Sequence, residues 1–121
     1  MKLKTLPSLR EKKRYVIFKI HSQERVSFFE TNNAIWNSIL NWLGEKETAK
    51  ANPWIIKNLW DQRKQIGFIK CSHKYVDDIK TALSLIHQIG DEKVTIQTLI
   101  VSGTIKSGKK KLNSLILTIN R

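Results

Sequence analysis

The stretch Val94–Lys111, VTIQTLIVSGTIKSGKKK, decides how the chain is organised because its two halves differ in character. The first half alternates and is rich in Val, Ile and Thr, which predicts a half-buried strand. The second half contains Gly103 and Gly108, where the backbone can turn without an obstructing Cβ, and four lysines with no acidic residue among them. We interpret the stretch as a core strand followed by a flexible cationic arm that reaches a polyanion. A tail that merely improves solubility is the simpler alternative.

The composition indicates one domain whose charge is concentrated at its two ends. The 121 residues carry a net charge of +12, from 22 basic and 10 acidic side chains. Residues 1–14 and residues 106–121 each carry a net +5, so the segment between them is nearly neutral. Two cationic ends favour binding to the phosphates of a polyanion, since neutralised phosphates release their counterions. Binding to an anionic membrane surface is the alternative. No apolar run approaches the ~20 residues of a membrane span, and the single Cys71 cannot form an internal disulfide. We therefore expect a cytoplasmic protein that binds no membrane.

Hydrophobic periodicity predicts the element order β–α–β–β–α–β. Ser27 and Glu30 have the spacing of a capping box at the start of the first helix, Gly44 is a natural stop for it, and Gly90 ends the second. Gly67, inside a strand, predicts a bulge or a close backbone approach. The predicted strands are Arg14–His21, Trp54–Trp60, Gln65–Ser72 and Lys93–Ser102, and the predicted helices cover about 28–43 and 74–89.

This order predicts an α+β fold, a ferredoxin-like or RRM-like αβ sandwich with a four-stranded antiparallel sheet and two main helices on one face. We expect a single domain over residues 1–121, with a basic N-terminal arm (1–13), the sandwich (14–102) and a basic C-terminal extension (103–121). The segment Leu112–Asn120 fits a helix and a strand equally well.

The second face of the predicted sheet is open unless another segment covers it. An apolar patch on such a face more often marks a protein partner than chance exposure. The apolar C-terminal tail is the other candidate for a protein interface. The predicted interface residues on the sheet are Ile17, Ile66, Phe68, Leu99 and Val101.

The sequence contains no recognisable set of catalytic or metal-binding residues. Its three histidines are too dispersed to form a ligand set, and no Ser or Cys stands near a base at a catalytic spacing. Residues 22–27, SQERVS, also lack the glycines of the phosphate loop of small phosphatases built on this fold. The strand containing Phe68 carries only one aromatic of the RNA-recognition pattern, and Lys70 interrupts it, which argues against base stacking on the sheet. We therefore expect no catalytic residue, metal or cofactor in this chain.

Three segments stand out together: Leu6–Tyr15 (LPSLREKKRY), Thr48–Lys57 (TAKANPWIIK) and Val101–Lys111 (VSGTIKSGKKK). In this order, and with the helical stretch Ala34–Glu45 (AIWNSILNWLGE), they resemble the ribonuclease P protein component 2 family of archaea, which is related to a subunit of eukaryotic ribonuclease P. The similarity covers most of the chain. The segment after Lys111, LNSLILTIN, departs from the family's pattern, which leaves its role open.

The resemblance implies the same sandwich fold and a protein subunit of the ribonucleoprotein that removes the 5′ leader from precursor tRNA. In that family the RNA carries the chemistry with Mg²⁺. The implied partners are ribonuclease P RNA, precursor tRNA, the component 3 protein and other ribonuclease P proteins, and a second copy of this chain in a homodimer within a heterotetramer. A small phosphate-handling enzyme on the same fold and a generic basic ribosome-associated RNA-binding protein remain as alternatives. The RNA-contact residues carried over by motif are Arg10, Lys12, Lys13, Arg14, Lys50, Trp54, Lys106, Lys109, Lys110 and Lys111.

Overall fold

A four-stranded antiparallel sheet lies at the centre of the protein, and helices cover both of its faces. The structure is a computed structural model that describes residues 12–119. The sheet has the strand order β2-β3-β1-β6, and β4 and β5 form a separate two-stranded ribbon. The predicted α+β sandwich is therefore confirmed. Its elements are β1 (Lys13–His21), α1 (Phe28–Ala51), β2 (Trp54–Ile55), β3 (Ile66–Ser72), α2 (Val76–Ser84), β4 (Gln88–Ile89), β5 (Glu92–Lys93), β6 (Thr95–Ser102) and α3 (Ile105–Ile119).

The main core lies between one face of the sheet and the helices α1 and α2. Phe18 on β1 is fully buried there, and its ring packs against Trp60 with a centroid separation of 6.3 Å. Gly67 pairs with Phe18 in the sheet, and a Cβ at Gly67 would lie only 2.5 Å from the Phe18 ring. The close backbone approach predicted at Gly67 is therefore confirmed, because only a hydrogen side chain leaves room for the ring.

The second face of the sheet is covered by α3, so the apolar patch predicted for an open face is not exposed. Ile17, Ile66 and Phe68 are at most 5% exposed and form a second core with apolar residues of α3. Gly108 allows the close contact, because a Cβ there would lie 2.9 Å from Ile17 Cδ1 and 3.4 Å from Phe68 Cε2. These three predicted interface residues cannot reach a partner while α3 stays docked. The predicted flexible arm after Gly103 is also wrong, since the segment is helical.

A β-bulge explains why the other two predicted interface residues do not share one face. The pairing of β1 with β6 shifts by one residue between Ile17 and Phe18, which leaves Leu99 as the extra residue. A bulge reverses the inward and outward alternation of the residues beyond it. Leu99 is half-buried against the second core, whereas Val101 is half-buried against the main core. The prediction that Val101 lies on the face of Ile17 is therefore wrong.

The helix α1 is longer than predicted, although Gly44 does interrupt it. Ser27 caps its first turn as predicted, with its Oγ accepting a hydrogen bond from Glu30 N at 3.1 Å. Gly44 has a φ of +79°, but the chain then resumes a helical path to Ala51. The helix ends at Asn52, which is left-handed with a φ of +48° and donates its N–H to Thr48 O. The segment 45–51, which lies beyond the predicted end of the helix, is therefore a helical extension that carries Lys50.

Two other predicted elements are shorter than expected. Only Trp54–Ile55 of the predicted strand Trp54–Trp60 pairs in the sheet, and a 3₁₀ turn at Lys57–Leu59 replaces the remainder. The second helix ends at Ser84 rather than near residue 89. Gly90 has a φ of +58° in the turn between β4 and β5, so it serves a hairpin and not a helix end.

Candidate nucleic-acid interface

One edge of the sheet collects the three chain segments that carry most of the predicted RNA-contact residues. Because the strands are antiparallel, the start of β1 lies beside the ends of β3 and β6. The register pairs Tyr15 with Ser102 on one side and with Lys70 on the other, and Lys70 pairs in turn with Trp54. We call this region the basic edge, and its members are Lys12, Lys13, Arg14, Lys50, Trp54, Lys70 and Lys106.

The backbone of the first segment is anchored at the end of β3. His73 donates its N–H to Lys12 O at 2.8 Å, and Lys13 pairs with Ser72. The Lys12 side chain is exposed, so a fixed main chain presents a charged head to solvent. The predicted contact residue Arg10 lies outside the described residues, as does most of the predicted N-terminal arm.

Arg14 connects the first segment to the third. Its Nη1 donates a hydrogen bond to Lys13 O at 2.8 Å, and the same atom lies 4.0 Å from the position that a Cβ on Gly103 would occupy. The guanidinium is therefore held beside the turn that leads from β6 into α3. A half-buried guanidinium is well suited to a phosphate, which it can contact with two parallel hydrogen bonds.

Lys50 and Trp54 stand at the end of α1 and the start of β2. Lys50 Nζ lies 3.6 Å from Glu47 Oε1, and Tyr75 donates its hydroxyl to the other oxygen of Glu47. The hydrogen bond from Tyr75 lowers the pKa of Glu47 below its ordinary value, which keeps the carboxylate charged beside Lys50. Trp54 is 64% exposed at the edge of the sheet. An exposed indole beside several cations can stack on an unpaired base.

The lysines of the third segment lie on the exposed side of α3 rather than on a mobile arm. Thr104 caps the helix, since its Oγ1 accepts a hydrogen bond from Ser107 N at 3.1 Å. All four lysines, Lys106, Lys109, Lys110 and Lys111, are exposed. At about 100° per residue, Lys109 and Lys111 lie on opposite flanks of the helix while Lys106 and Lys110 point away from the sheet. The helix therefore fixes the spacing of the four charges.

The electrostatics of this region favour an anion for two reasons that add. The first turn of α3 contains no acidic residue, and its N-terminus carries the positive end of the helix dipole. Lys106 in that turn and Arg14 beside it add full charges. Sequence reasoning missed Lys70 as a member of this group, because its place between Trp54 and Tyr15 depends on the strand register.

Large apolar side chains remain exposed elsewhere on the described surface. On the helical side of the sandwich, Trp42 of α1 and Leu85 after α2 are 48% and 49% exposed. Both line a cavity of about 480 Å³ between these helices, and Trp42 Nε1 donates a hydrogen bond to Asp78 Oδ1 at 3.1 Å. We call this the Trp42 groove. The sequence does not locate this groove, because a tryptophan such as Trp42 is by default either a core or an interface residue.

The remaining chemistry of the described residues is sparse. Cys71 is buried on β3, and burial raises the pKa of its thiol to about 11, which keeps it protonated at neutral pH. Within residues 12–119, no group of three or more His, Cys, Asp or Glu side chains could hold a metal ion. No helix in that range is long and apolar enough to cross a membrane.

Comparison with known proteins identifies close relatives over nearly the whole chain. The sequence model of the Rpp14/Pop5 family matches residues 14–113. Ribonuclease P protein component 2 of Pyrococcus furiosus is 46% identical over 112 residues, which cover 92% of each chain. The protein of the same name from Methanocaldococcus jannaschii is 41% identical over 110 residues, covering 90% of this chain and 79% of the relative.

A solved structure shares the fold at much lower sequence identity. One chain of the cryo-EM structure of yeast ribonuclease MRP superimposes with a TM-score of 0.60 and 12% identity. The match covers 92% of this chain and 93% of the yeast chain. It supports the αβ sandwich independently of the sequence matches.

Proposed function

Because the chain belongs to the Rpp14/Pop5 family of ribonuclease P proteins, we propose that it is an RNA-binding subunit of ribonuclease P. This ribonucleoprotein removes the 5′ leader from precursor tRNA, and we place the assembly in the cytoplasm. The protein's task is to bind the RNA subunit and to support its catalytic domain together with the component 3 protein.

The observation that carries this proposal is the basic edge. Segments that are far apart in sequence place their cations side by side, with Arg14 next to the turn into α3 and Lys70 next to Trp54. Cations that bind phosphates release condensed counterions, which supplies most of the affinity of a basic protein for RNA. The exposed indole of Trp54 adds a surface for an unpaired base. The arrangement suits a folded RNA whose backbone and single-stranded bases lie close together.

The chemistry of leader removal belongs, in this proposal, to the RNA. The described residues contain no cluster of three or more His, Cys, Asp or Glu side chains that could hold a metal ion. We assign the Mg²⁺ ion to RNA phosphates and derive no step through this chain. The residues of the basic edge act by neutralising and positioning phosphates.

The proposal also assigns a surface to a protein partner. With the sheet face covered by α3, the Trp42 groove is the described apolar surface best suited to the component 3 protein. An exposed tryptophan next to a groove is the typical anchor of a protein interface. A homodimer within a heterotetramer needs a second surface, for which Leu117 of α3, 67% exposed, is our candidate.

Reconstitution tests the proposed function. Ribonuclease P RNA, the other protein subunits and Mg²⁺ should cleave precursor tRNA at the 5′ end of the mature sequence when this protein is present. The protein purified free of RNA should cleave neither precursor tRNA nor a phosphate monoester. Leader removal by the protein alone would refute the subunit role, and hydrolysis of the monoester would favour a phosphate-handling enzyme. Copurification with bulk ribosomal RNA, without ribonuclease P RNA, would favour a generic RNA-binding protein.

A further inference from the structure

A second set of cations lies at the opposite edge of the sheet, where Lys19 is about 20 Å from Lys13 along strand β1. We call it the far pole, and its members are Lys19, Arg25, Arg63 and Lys64. They line one cavity of about 440 Å³. None of them belongs to the segments that predicted RNA contact.

Hydrogen bonds between side chains and backbone groups hold the far pole together across two loops. Lys19 Nζ donates to Lys64 O at 2.7 Å, and Arg25 Nε donates to Arg63 O at 3.2 Å. The two loops are clamped by Gln65, whose buried amide accepts a hydrogen bond from Val26 N at 2.8 Å and donates to Val26 O at 3.1 Å. Gln65 keeps a left-handed φ of +57°, a conformation that non-glycine residues adopt only when their surroundings impose it. The fold therefore fixes the backbone from which the Arg63 and Lys64 side chains extend, and it holds the Lys19 and Arg25 side chains beside that backbone.

The far pole carries an excess of positive charge. Among residues 12–119, none of its four cations forms an ion pair with an acidic side chain. Glu24 is the carboxylate that lines the same cavity, so four cations face one acid. The Glu24 backbone N–H donates to Glu92 Oε2 at a long 3.4 Å, which brings a second carboxylate near the rim. A cleft lined mainly by one sign of charge attracts ions of the opposite sign, so this cavity favours an anion.

A second cavity adjoins the far pole and has a different character. It holds about 490 Å³ and shares Lys19, His21 and Lys64 with the first. Leu99, Leu115 and Ile116 form its apolar wall under the C-terminal half of α3. On its rim, His21 Nε2 and Gln97 Oε1 are hydrogen-bonded at 2.8 Å. The volume lies within the range of small-ligand sites, and an apolar wall with a few polar groups is their usual lining.

We propose that the far pole and its adjoining cavity form a second RNA site, which takes one unpaired nucleotide. The phosphate binds Arg25, Arg63 and Lys64, and the base enters the cavity beside Leu115, where His21 and Gln97 can exchange hydrogen bonds with its edge. This inference rests on the proposed function, since it takes RNA as the ligand. It adds that the protein connects two separate RNA segments, one at each end of β1.

The test compares charge-removing variants by the salt dependence of binding to ribonuclease P RNA transcribed from the same genome. Arg25→Gln/Arg63→Gln removes two exposed charges of the far pole. Lys80→Gln/Lys93→Gln removes two exposed charges outside both sets and serves as the matched control. Each lost contact with a single-stranded phosphate should lower the slope of log K against log[salt] by about 0.7. We expect a decrease of about 0.7 to 1.4 for the far-pole variant and no change for the control.

A second measurement tests the unpaired nucleotide. In a protein that also carries Lys109→Ala, Lys110→Ala and Lys111→Ala, we expect His21→Ala/Gln97→Ala to weaken binding of a fluorescein-labelled 12-nucleotide single strand at least fivefold. Binding of the corresponding duplex should not change. Thermal unfolding checks that each variant is folded.

The outcomes separate this inference from the proposed function. Superimposable slopes for the far-pole variant and the control would overturn the second site, while a decrease for the Lys109–Lys111 variant would leave the proposed function standing. Equal weakening of single-strand and duplex binding would refute the nucleotide cavity. Unchanged binding in every variant, including Lys12→Gln/Lys106→Gln at the basic edge, would contradict both proposals.

Discussion

The packing of α3 on the sheet predicts a large difference between two substitutions in the same helix. At Gly108 a Cβ would lie 2.9 Å from Ile17 Cδ1, 3.4 Å from Phe68 Cε2 and 3.5 Å from Ser102 Cβ. A leucine there must place three further carbon atoms where these side chains already lie. At Lys110, two residues further along and on the exposed side of the helix, the same leucine meets solvent.

The expected magnitude follows from comparing two ways of accommodating Gly108→Leu. Releasing α3 would expose Ile17, Ile66 and Phe68, each worth about 1.5–3 kcal/mol of burial. Overpacking with a shifted helix costs about 1–3 kcal/mol. The shift is therefore preferred, and we expect a loss of about 1–3 kcal/mol and a Tm lower by roughly 4–12 °C. Gly108→Ala should be nearly neutral, because about 1 kcal/mol of helix propensity offsets a contact that Ile17 Cδ1 can relieve.

Urea unfolding followed by circular dichroism measures these differences, with Lys110→Leu as the matched control. We expect the control to stay within about 0.5 kcal/mol of the parent, as exposed surface substitutions usually do. The shifted helix should also weaken RNA binding, because it displaces Lys106 and Lys109. If Gly108→Leu were as stable as Lys110→Leu, α3 would not pack on Ile17 and Phe68, and the sheet face would be open after all.

Three further predictions concern the charged, apolar and thiol groups. Replacing Lys109, Lys110 and Lys111 with Ala should lower the slope of log K against log[salt] for ribonuclease P RNA by about two to three units if all three contact phosphates. Trp42→Glu should weaken association with the component 3 protein at least tenfold, because a charge in an apolar interface loses water without gaining a partner. The Cys71 thiol, whose pKa burial raises to about 11, should react with a disulfide reagent at pH 8 much faster in urea than in the native protein. The stability contributed by its protonated form is present below pH 9, its unfolded pKa, and is lost as the pH rises towards 11.

Each of these predictions has an outcome that contradicts it. A lysine variant with poorer solubility but an unchanged slope would make the cationic segment a solubility device. Lys80→Glu, an exposed charge reversal on α2, is the control for Trp42→Glu, and equal association of both with the component 3 protein would move the interface away from the Trp42 groove. Equal reactivity of Cys71 in the folded and unfolded protein would contradict its burial.

Local patterns in the sequence were sufficient for the elements whose signals are short-range. Alternation located β1, β3 and β6 nearly to the residue, and the Ser27 cap appears as the spacing predicts. The element order then implied the sandwich, and three short segments implied the family. These features depend on residues within a few positions of each other, so they can be predicted from the sequence alone.

The sequence predicted which residue types and which segments form the site, but not how they come together on the protein surface. The sequence pointed to cations in three places, while the strand register placed Lys70 between Trp54 and Tyr15. The far pole needed even more of the fold, because Lys19, Arg25 and Arg63 come from a strand and two loops. Residues that come together only because Gln65 connects their two loops share no pattern along the sequence.

Only the tertiary structure decided what covers the second face of the sheet. The sequence of residues 112–120 fits a helical and a strand periodicity equally well. The helix is selected because an amphipathic helix can cover the sheet face and bury Ile17, Ile66 and Phe68. The bulge at Leu99 moves Val101 to the other core, and one inserted residue leaves no trace in the alternation itself. Local signals thus determined which elements form, whereas the need to bury unfilled apolar surface determined where α3 lies and which charges meet.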